Sequence, residues 1–99
     1  MESKLLNKFV IIRTYSAGIH AGTLETKDGK EVRLTQAYRI WYWAQAENHT
    51  GSLSAVAEHG VGKGSKIAGP VPMIELTEAI EIIETSQKAE KSIKAGKWD

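Results

Sequence analysis

The residue pattern with the clearest chemical potential is the segment 38–43, Tyr-Arg-Ile-Trp-Tyr-Trp, which holds four of the seven aromatic residues of the chain. Successive side chains of a β-strand point to opposite faces, so Arg39, Trp41 and Trp43 are expected on one face. Indole faces stack on nucleobases for about 1–3 kcal/mol per base, and arginine adds a phosphate contact. Tryptophan and tyrosine are also favoured in cores and interfaces. The segment is therefore either a ligand-binding face or a buried core or subunit interface.

Further polar residues could complete such a ligand-binding face. One group lies on the first predicted strand and in the turn that follows it. Another belongs to the glycine-rich stretch 60–69, where successive backbone N–H groups and two lysines could hold a phosphate, although the GxxxxGK[ST] spacing of nucleotide hydrolases is not met. The predicted ligand-binding residues are Arg13, Tyr15, Ser16, His20, Arg39, Trp41, Trp43, Lys63, Ser65 and Lys66.

Residue types that carry out catalysis or hold metals are sparse. The chain has no cysteine, which excludes thiol nucleophiles, disulfides and cysteine-bound zinc. His20, His49 and His59 show no spacing typical of a metal site. No GxSxG motif is present to activate a serine nucleophile. The sequence predicts no enzyme, no metal and no cofactor.

Length and charge restrict the remaining function classes. The 99 residues suit a single domain over 1–99, and 41% hydrophobic with 25% charged residues is ordinary for a folded protein. A net charge of +1 argues against a broad surface for duplex nucleic acid, which needs a basic excess. No signal peptide or membrane-spanning segment is predicted, so a cytoplasmic location away from membranes is expected.

The first half of the chain is predicted to be an antiparallel meander of four strands. Residues 9–15 and 38–43 are rich in β-branched and aromatic residues, and residues 19–26 and 31–35 flank Asp28-Gly29. Asp-Gly between two extended runs is typical of a type I′ hairpin turn, in which both central residues have positive φ. The sheet is expected to be open or partly closed.

The second half is predicted to contain two helices. Ser52 is expected to cap a short helix that ends at Gly60, and a C-terminal helix is expected from Ser86 to Ala95. Residues 60–69 are predicted to form a loop. Residues 73–84 fit both a two-residue and a helical period, and their β-branched residues favour strand over helix. The expected fold class is α+β, mostly antiparallel sheet with one short middle helix and one C-terminal helix.

Self-association is predicted from the aromatic content. A chain of this length has a small core, and Trp41, Tyr42, Trp43 and Trp98 together exceed the aromatic surface that such a core readily hides. We expect a homo-oligomer, a dimer or a tetramer, since closed twofold symmetry is the commonest arrangement.

The strings VIIRTYSAGIHAGTL, GKEVRL, RIWYW and VPMIELTEAIEII carry a resemblance to known sequences. Together they resemble a widespread family of phage-encoded proteins of about 100 residues and unknown function, and the similarity runs from about Lys8 to Ile93. The chain is also loosely similar to phage anti-defence sponge proteins, which bind cyclic nucleotide signals of bacterial immunity as symmetric oligomers. This second resemblance implies no particular binding residue, so the residues named above rest on their chemistry.

Three functions from different classes are consistent with these observations. The first is an immune-evasion protein in the cytoplasm of an infected bacterium that sequesters a cyclic di- or oligonucleotide signal without cleaving it. The second is a protein–protein inhibitor of a host defence complex, similar in action to an anti-CRISPR protein, for which the Trp/Arg face would be the contact surface. The third is a small hydrolase of nucleotide signals that uses His20.

Overall fold

The computed structural model describes residues 3–96 and shows one five-stranded antiparallel sheet with two helices. The spatial strand order is β4-β3-β2-β1-β5, so the first four strands form a meander and β5 returns beside β1. The predicted α+β class is confirmed. The elements are Phe9–Thr14 (β1), Ile19–Asp28 (β2), Glu31–Tyr42 (β3), Leu53–His59 (α1), Lys66–Leu76 (β4), Ala79–Glu84 (β5) and Gln87–Ala95 (α2).

The first 43 residues contain three strands, not the predicted four. The aromatic segment, up to Tyr42, is the second half of β3, which continues through Gln36 with a positive φ of 49°, and Trp43 follows the strand. A register shift between β2 and β3 at this point accommodates the irregular residue as a bulge. The hairpin between β2 and β3 also differs from the expected type I′ turn. Its two central residues are Gly29 and Lys30, and of these only Gly29 has a positive φ (60°).

The second half of the chain is more extended than predicted. β4 begins at Lys66, inside the stretch predicted to be a loop, and it includes Pro70 and Pro72. As an edge strand, β4 tolerates prolines because a missing N–H on its free side breaks no ladder bond. Residues 73–84 are extended, as favoured over helix, but they divide into the end of β4 and all of β5 at Thr77 and Glu78.

The sheet is strongly curled although it remains open. β4 and β5 are opposite edges, and a flat five-stranded sheet would hold its edges about 19 Å apart. β4 ends at Leu76 and β5 begins at Ala79, and the chain between these two residues spans at most about 11 Å. The edges must therefore approach each other here. Accordingly, the Ala79 N–H at the start of β5 donates to the Lys30 carbonyl in the turn between β2 and β3 (3.0 Å).

Curling lets both faces of the sheet bury apolar side chains. Both helices pack on one face, where Ile11, Ile40 and Ile67 meet Val56 of α1 and Ile93 of α2. The opposite face holds a second cluster made of β-strand side chains, against which Leu5 and Leu6 of the segment before β1 also pack. The members of that second cluster are Val10, Ile12, Leu24, Val32, Leu34, Ala37 and Leu76.

The helices begin and end as their sequences predict. Ser52 caps α1 by accepting from the Ala55 N–H (3.1 Å), and Ser86 caps α2 by accepting from the Ala89 N–H (3.0 Å). The Ser86 hydroxyl also donates to the Glu58 carbonyl (2.6 Å), which joins the two helices. Neither helix within residues 3–96 has the length and apolar character needed to cross a membrane.

Candidate functional site

The candidate site lies on the second half of β3, on the sheet face opposite the helices. Arg39 is half-buried and Trp41 is 59% exposed, and the guanidinium carbon lies 5.3 Å from the centre of the indole ring. This is the distance of a cation–π contact, worth about 0.5–1 kcal/mol at an exposed position. The indole therefore holds the guanidinium at the surface without neutralising its charge.

Arg13 and Arg33 form ion pairs with carboxylates, whereas Arg39 forms none among residues 3–96. Arg13 donates to Glu81 (2.8 Å), and Arg33 forms ion pairs with Glu75 and Glu25. The carboxylates raise the pKa of Arg33, first through the hydrogen bond that Arg33 donates to Glu75. Arg39 takes part in none of the ion pairs found among residues 3–96. Within that part of the chain, its charge is thus left for an anionic partner.

Two cavities share the Arg39–Trp41 pair. The first, here the His20 cavity, has a volume of about 240 Å³ and lies between β2, β3 and β4. Its lining is mainly apolar, including Ala37, Ala68 and Val71. Gly69 (φ +121°) also lines it, and a Cβ there would lie 2.7 Å from the Ala37 carbonyl oxygen, so β4 approaches β3 closely at this point.

The second cavity, here the turn cavity, has a volume of about 430 Å³. The turn Ser16–Gly18 and the end of β3 line it, and Trp43 contributes to its wall. Hydrogen bonds fix this turn, since the Thr14 hydroxyl donates to the Gly18 carbonyl (2.7 Å) and accepts from the Ala17 N–H (2.8 Å). Ser16 donates to the Glu78 carboxylate (2.8 Å), which fastens the turn to the link between β4 and β5.

His20 is buried beneath Arg39, its partner in the β2–β3 ladder. Its Nε2 is 2.8 Å from the Ala17 carbonyl oxygen. Burial lowers the pKa of His20 below its usual value, and the positive charge of Arg39 lowers it further, while the bond to Ala17 opposes both effects. The ring is therefore neutral at pH 7 and sits at the base of its cavity as a hydrogen-bonding group.

The structure brings together only part of the predicted set of ligand-binding residues. His20, Arg39 and Trp41 line the His20 cavity, and Ser16 lines the turn cavity with the same arginine and tryptophan. Arg13 follows Phe9 and Ile11 in the alternation of β1, so it lies on the helix-bearing face and pairs with Glu81. Tyr15 is 77% exposed beyond the end of β1 and lines neither cavity.

Trp43 does not share the face of Arg39 and Trp41 as the alternation predicts. A register shift between Ile40 and Tyr42 inserts a bulge, so Trp43 packs against the helix-side core and donates to the Gly51 carbonyl (2.9 Å). It borders the turn cavity from that side.

The end of the glycine-rich stretch 60–69 lines the His20 cavity through Ala68 and Gly69, but the predicted ligand-binding residues Lys63, Ser65 and Lys66 line neither cavity. The Ser65 hydroxyl donates to the Gly62 carbonyl (2.8 Å) and accepts from the Ala44 N–H (3.0 Å), so it stabilises the local turn. Lys63 is exposed on that turn, and Lys66 lies opposite Tyr42 in the β3–β4 ladder. Residues of β4 that do line the His20 cavity were missed by the sequence analysis, because the glycines and prolines there gave no strand signal.

Known proteins add little chemistry to this geometry. A family model described as "Domain of unknown function (DUF6948)" matches residues 7–93. No curated protein matches the chain. Within residues 3–96, no group of three or more histidine, cysteine, aspartate or glutamate side chains could hold a metal ion.

Proposed function

We propose that this chain, which belongs to the DUF6948 family of unknown function, binds a cyclic di- or oligonucleotide at the Arg39–Trp41 pair and holds it without cleaving it. The observation that carries the proposal is an arginine without an ion pair among residues 3–96, stacked on an exposed tryptophan between two cavities. Arginine suits phosphate and indole suits a base, so the pair matches the two chemical parts of a nucleotide.

The two cavities favour a ligand with two bases. Each cavity has Arg39 and Trp41 in its wall, so a phosphate on the guanidinium would lie next to both cavities. A cyclic dinucleotide, with two bases flanking its phosphates, fits this arrangement better than a mononucleotide. Such a protein would act as a sponge in the cytoplasm of an infected bacterium, lowering the concentration of an immune signal.

Binding without cleavage is supported by the hydrogen bonds around the cavities. The hydroxyl of Ser16 donates to the Glu78 carboxylate, and Nε2 of His20 donates to the Ala17 carbonyl. A serine–histidine nucleophile needs the two side chains within hydrogen-bonding reach of each other, and here Ser16 and His20 line different cavities and bond to other groups. This arrangement favours a binding protein over the hydrolase that uses His20.

A protein partner is the second candidate function, supported by exposed apolar side chains next to the site. Val71 is 43% exposed and Met73 is 51% exposed on the edge strand β4, and Val71 borders the His20 cavity together with Trp41. A host defence protein could cover these side chains, with Trp41 as a central contact, since tryptophan and arginine dominate interface energetics.

The test of the proposed function is calorimetry with cyclic di-AMP, cyclic di-GMP, a cyclic trinucleotide and ADP-ribose. Arg39→Ala should weaken binding of the retained nucleotide by at least about tenfold, because a charge-assisted bond to phosphate is worth about 1.5–3 kcal/mol. Arg33→Ala is the matched control, since that arginine is paired with Glu75 and Glu25, and its affinity should equal that of the parent.

Recovery of the ligand separates the three functions. After heat denaturation of the complex, a sponge returns the nucleotide intact and a hydrolase returns product. A protein blocker binds none of the nucleotides. Parent-like affinity of both Arg39→Ala and Trp41→Ala would show that the site lies elsewhere.

A further inference from the structure

One ring nitrogen of His20, Nδ1, has no hydrogen-bond partner among the residues that the structure describes. The buried polar or charged side chains among residues 3–96 are Thr14 and His20. The Thr14 hydroxyl both donates and accepts within the turn Ser16–Gly18. The hydrogen bond found for His20 involves Nε2 and the Ala17 carbonyl. The role of Nδ1 is thus unassigned.

The contact with Ala17 determines the tautomer of the ring. A carbonyl oxygen only accepts hydrogen bonds, so Nε2 must carry the proton. Burial lowers the pKa of His20, which keeps the ring neutral near pH 7. In a neutral imidazole the second nitrogen is an acceptor, so Nδ1 presents a lone pair.

This lone pair can be reached from the His20 cavity. Among the described residues, no fully buried side-chain nitrogen or oxygen lacks a hydrogen-bond partner. Nδ1 has no such partner among the described residues, so it is not fully buried, and it belongs to a ring that is 1% exposed and lines the His20 cavity. Most side chains around it are apolar, including Ala37, Ala68 and Ile74. An acceptor at the base of an apolar cavity is a selective feature, because a ligand must supply a donor to it.

We infer that Nδ1 of His20 selects nucleotides whose base carries an exocyclic amino group, which donates to it while the base lies against Trp41. The inference rests on the proposed function, because Arg39 and Trp41 supply the affinity. The role of His20 is to discriminate between bases, and a keto oxygen at the same point would meet the lone pair of Nδ1 as a second acceptor.

The experiment compares two probes that differ only in the amino group, adenosine 5′-monophosphate and purine riboside 5′-monophosphate. The parent should bind the adenine probe about 3- to 10-fold more tightly, which is the ratio that one neutral hydrogen bond gives. His20→Leu removes the acceptor and should bring the ratio close to one. His20→Asn places an amide oxygen near the position of Nδ1 and should restore part of the preference.

The outcomes distinguish this inference from the proposed function. If the parent binds both probes equally and binding still depends on Arg39, the role of His20 is overturned and the binding function stands. If His20→Leu keeps the parent ratio, the inference is also overturned. If His20→Leu binds neither probe, the affinity ratio of His20→Asn for the two probes decides. A retained preference for the adenine probe supports the inference, and equal binding of both probes overturns it. If the parent binds no nucleotide, both proposals fail.

Discussion

A buried histidine beneath an arginine makes the protein sensitive to acid at the level of single residues. Arg39 lies opposite His20 in the β2–β3 ladder, and both burial and this charge oppose protonation of the ring. The Ala17 carbonyl accepts from Nε2 and partly offsets these effects. The same environment that makes His20 a neutral acceptor therefore makes its protonation costly.

The pH dependence of stability follows from this shift. The pKa of His20 is lowered in the folded state, so the unfolded chain binds more protons between the folded pKa and the unfolded value of about 6.5. The contribution of His20 to stability is fully present above about pH 6.5 and is lost as pH falls through the folded pKa. Urea unfolding should thus show a decrease in the free energy of unfolding as the pH falls below about 6.5.

A pair of variants assigns that decrease to His20. His20→Asn removes the imidazole and should flatten the dependence in this pH range, although the variant is less stable overall. Val56→Ala, a buried residue that does not titrate, should lower stability and keep the dependence of the parent. An equally steep decrease in His20→Asn would show that other groups cause it.

At the scale of elements, local signals in the sequence predicted most of the architecture. Both serine caps, the glycine turns and the extended character of residues 73–84 were predictable, because each depends on a few adjacent residues. The two bulges of β3 were not. They depend on how β3 aligns with β2 and β4, and alternation within one strand contains no information on that alignment.

The bulges of β3 explain which site residues could be placed correctly from the sequence. Alternation correctly placed Arg39 and Trp41 together, and the two side chains are in contact despite the register shift between Ile40 and Tyr42. It placed Trp43 on the wrong face because the second bulge comes between. The predicted contribution of Ser65 could not be judged from sequence, since its hydroxyl bonds to Ala44, which is distant in the chain.

The contact between α2 and the segment after α1 gives an element-scale prediction. The Ser92 hydroxyl donates to the Val61 carbonyl (3.0 Å) and accepts from the Val61 N–H (2.9 Å). Ser92→Ala leaves both partly buried backbone groups without this partner and should lower the free energy of unfolding by about 1–3 kcal/mol. Chemical denaturation measures the loss. Lys91→Ala, at an exposed neighbouring position, should stay within about 0.5 kcal/mol of the parent, and an equal loss in both variants would contradict the assignment.

At the scale of the whole molecule, one edge of the curled sheet, β4, combines prolines with exposed apolar side chains. β4 is an edge strand whose Pro70 and Pro72 lack N–H groups, which hinders the addition of a strand from another chain. Val71 between them is nevertheless 43% exposed, and it adjoins Trp41 at the His20 cavity. A second copy would therefore meet this edge through side chains rather than through a continuous sheet. Trp98, which also suggested self-association, lies outside the described residues.

The last prediction concerns the oligomer that such a contact would form. Light scattering of the parent at micromolar concentrations should give twice or four times the chain mass of 10.9 kDa. Val71→Glu places a carboxylate in the apolar contact, where an unpaired charge is costly, and should shift the mass towards the monomer. Ile80→Glu, at an equally exposed position on the opposite edge strand β5, should keep the mass of the parent. A monomeric parent would exclude self-association, whereas dissociation by Ile80→Glu alone would move the interface to β5 and leave the Arg39–Trp41 site facing solvent.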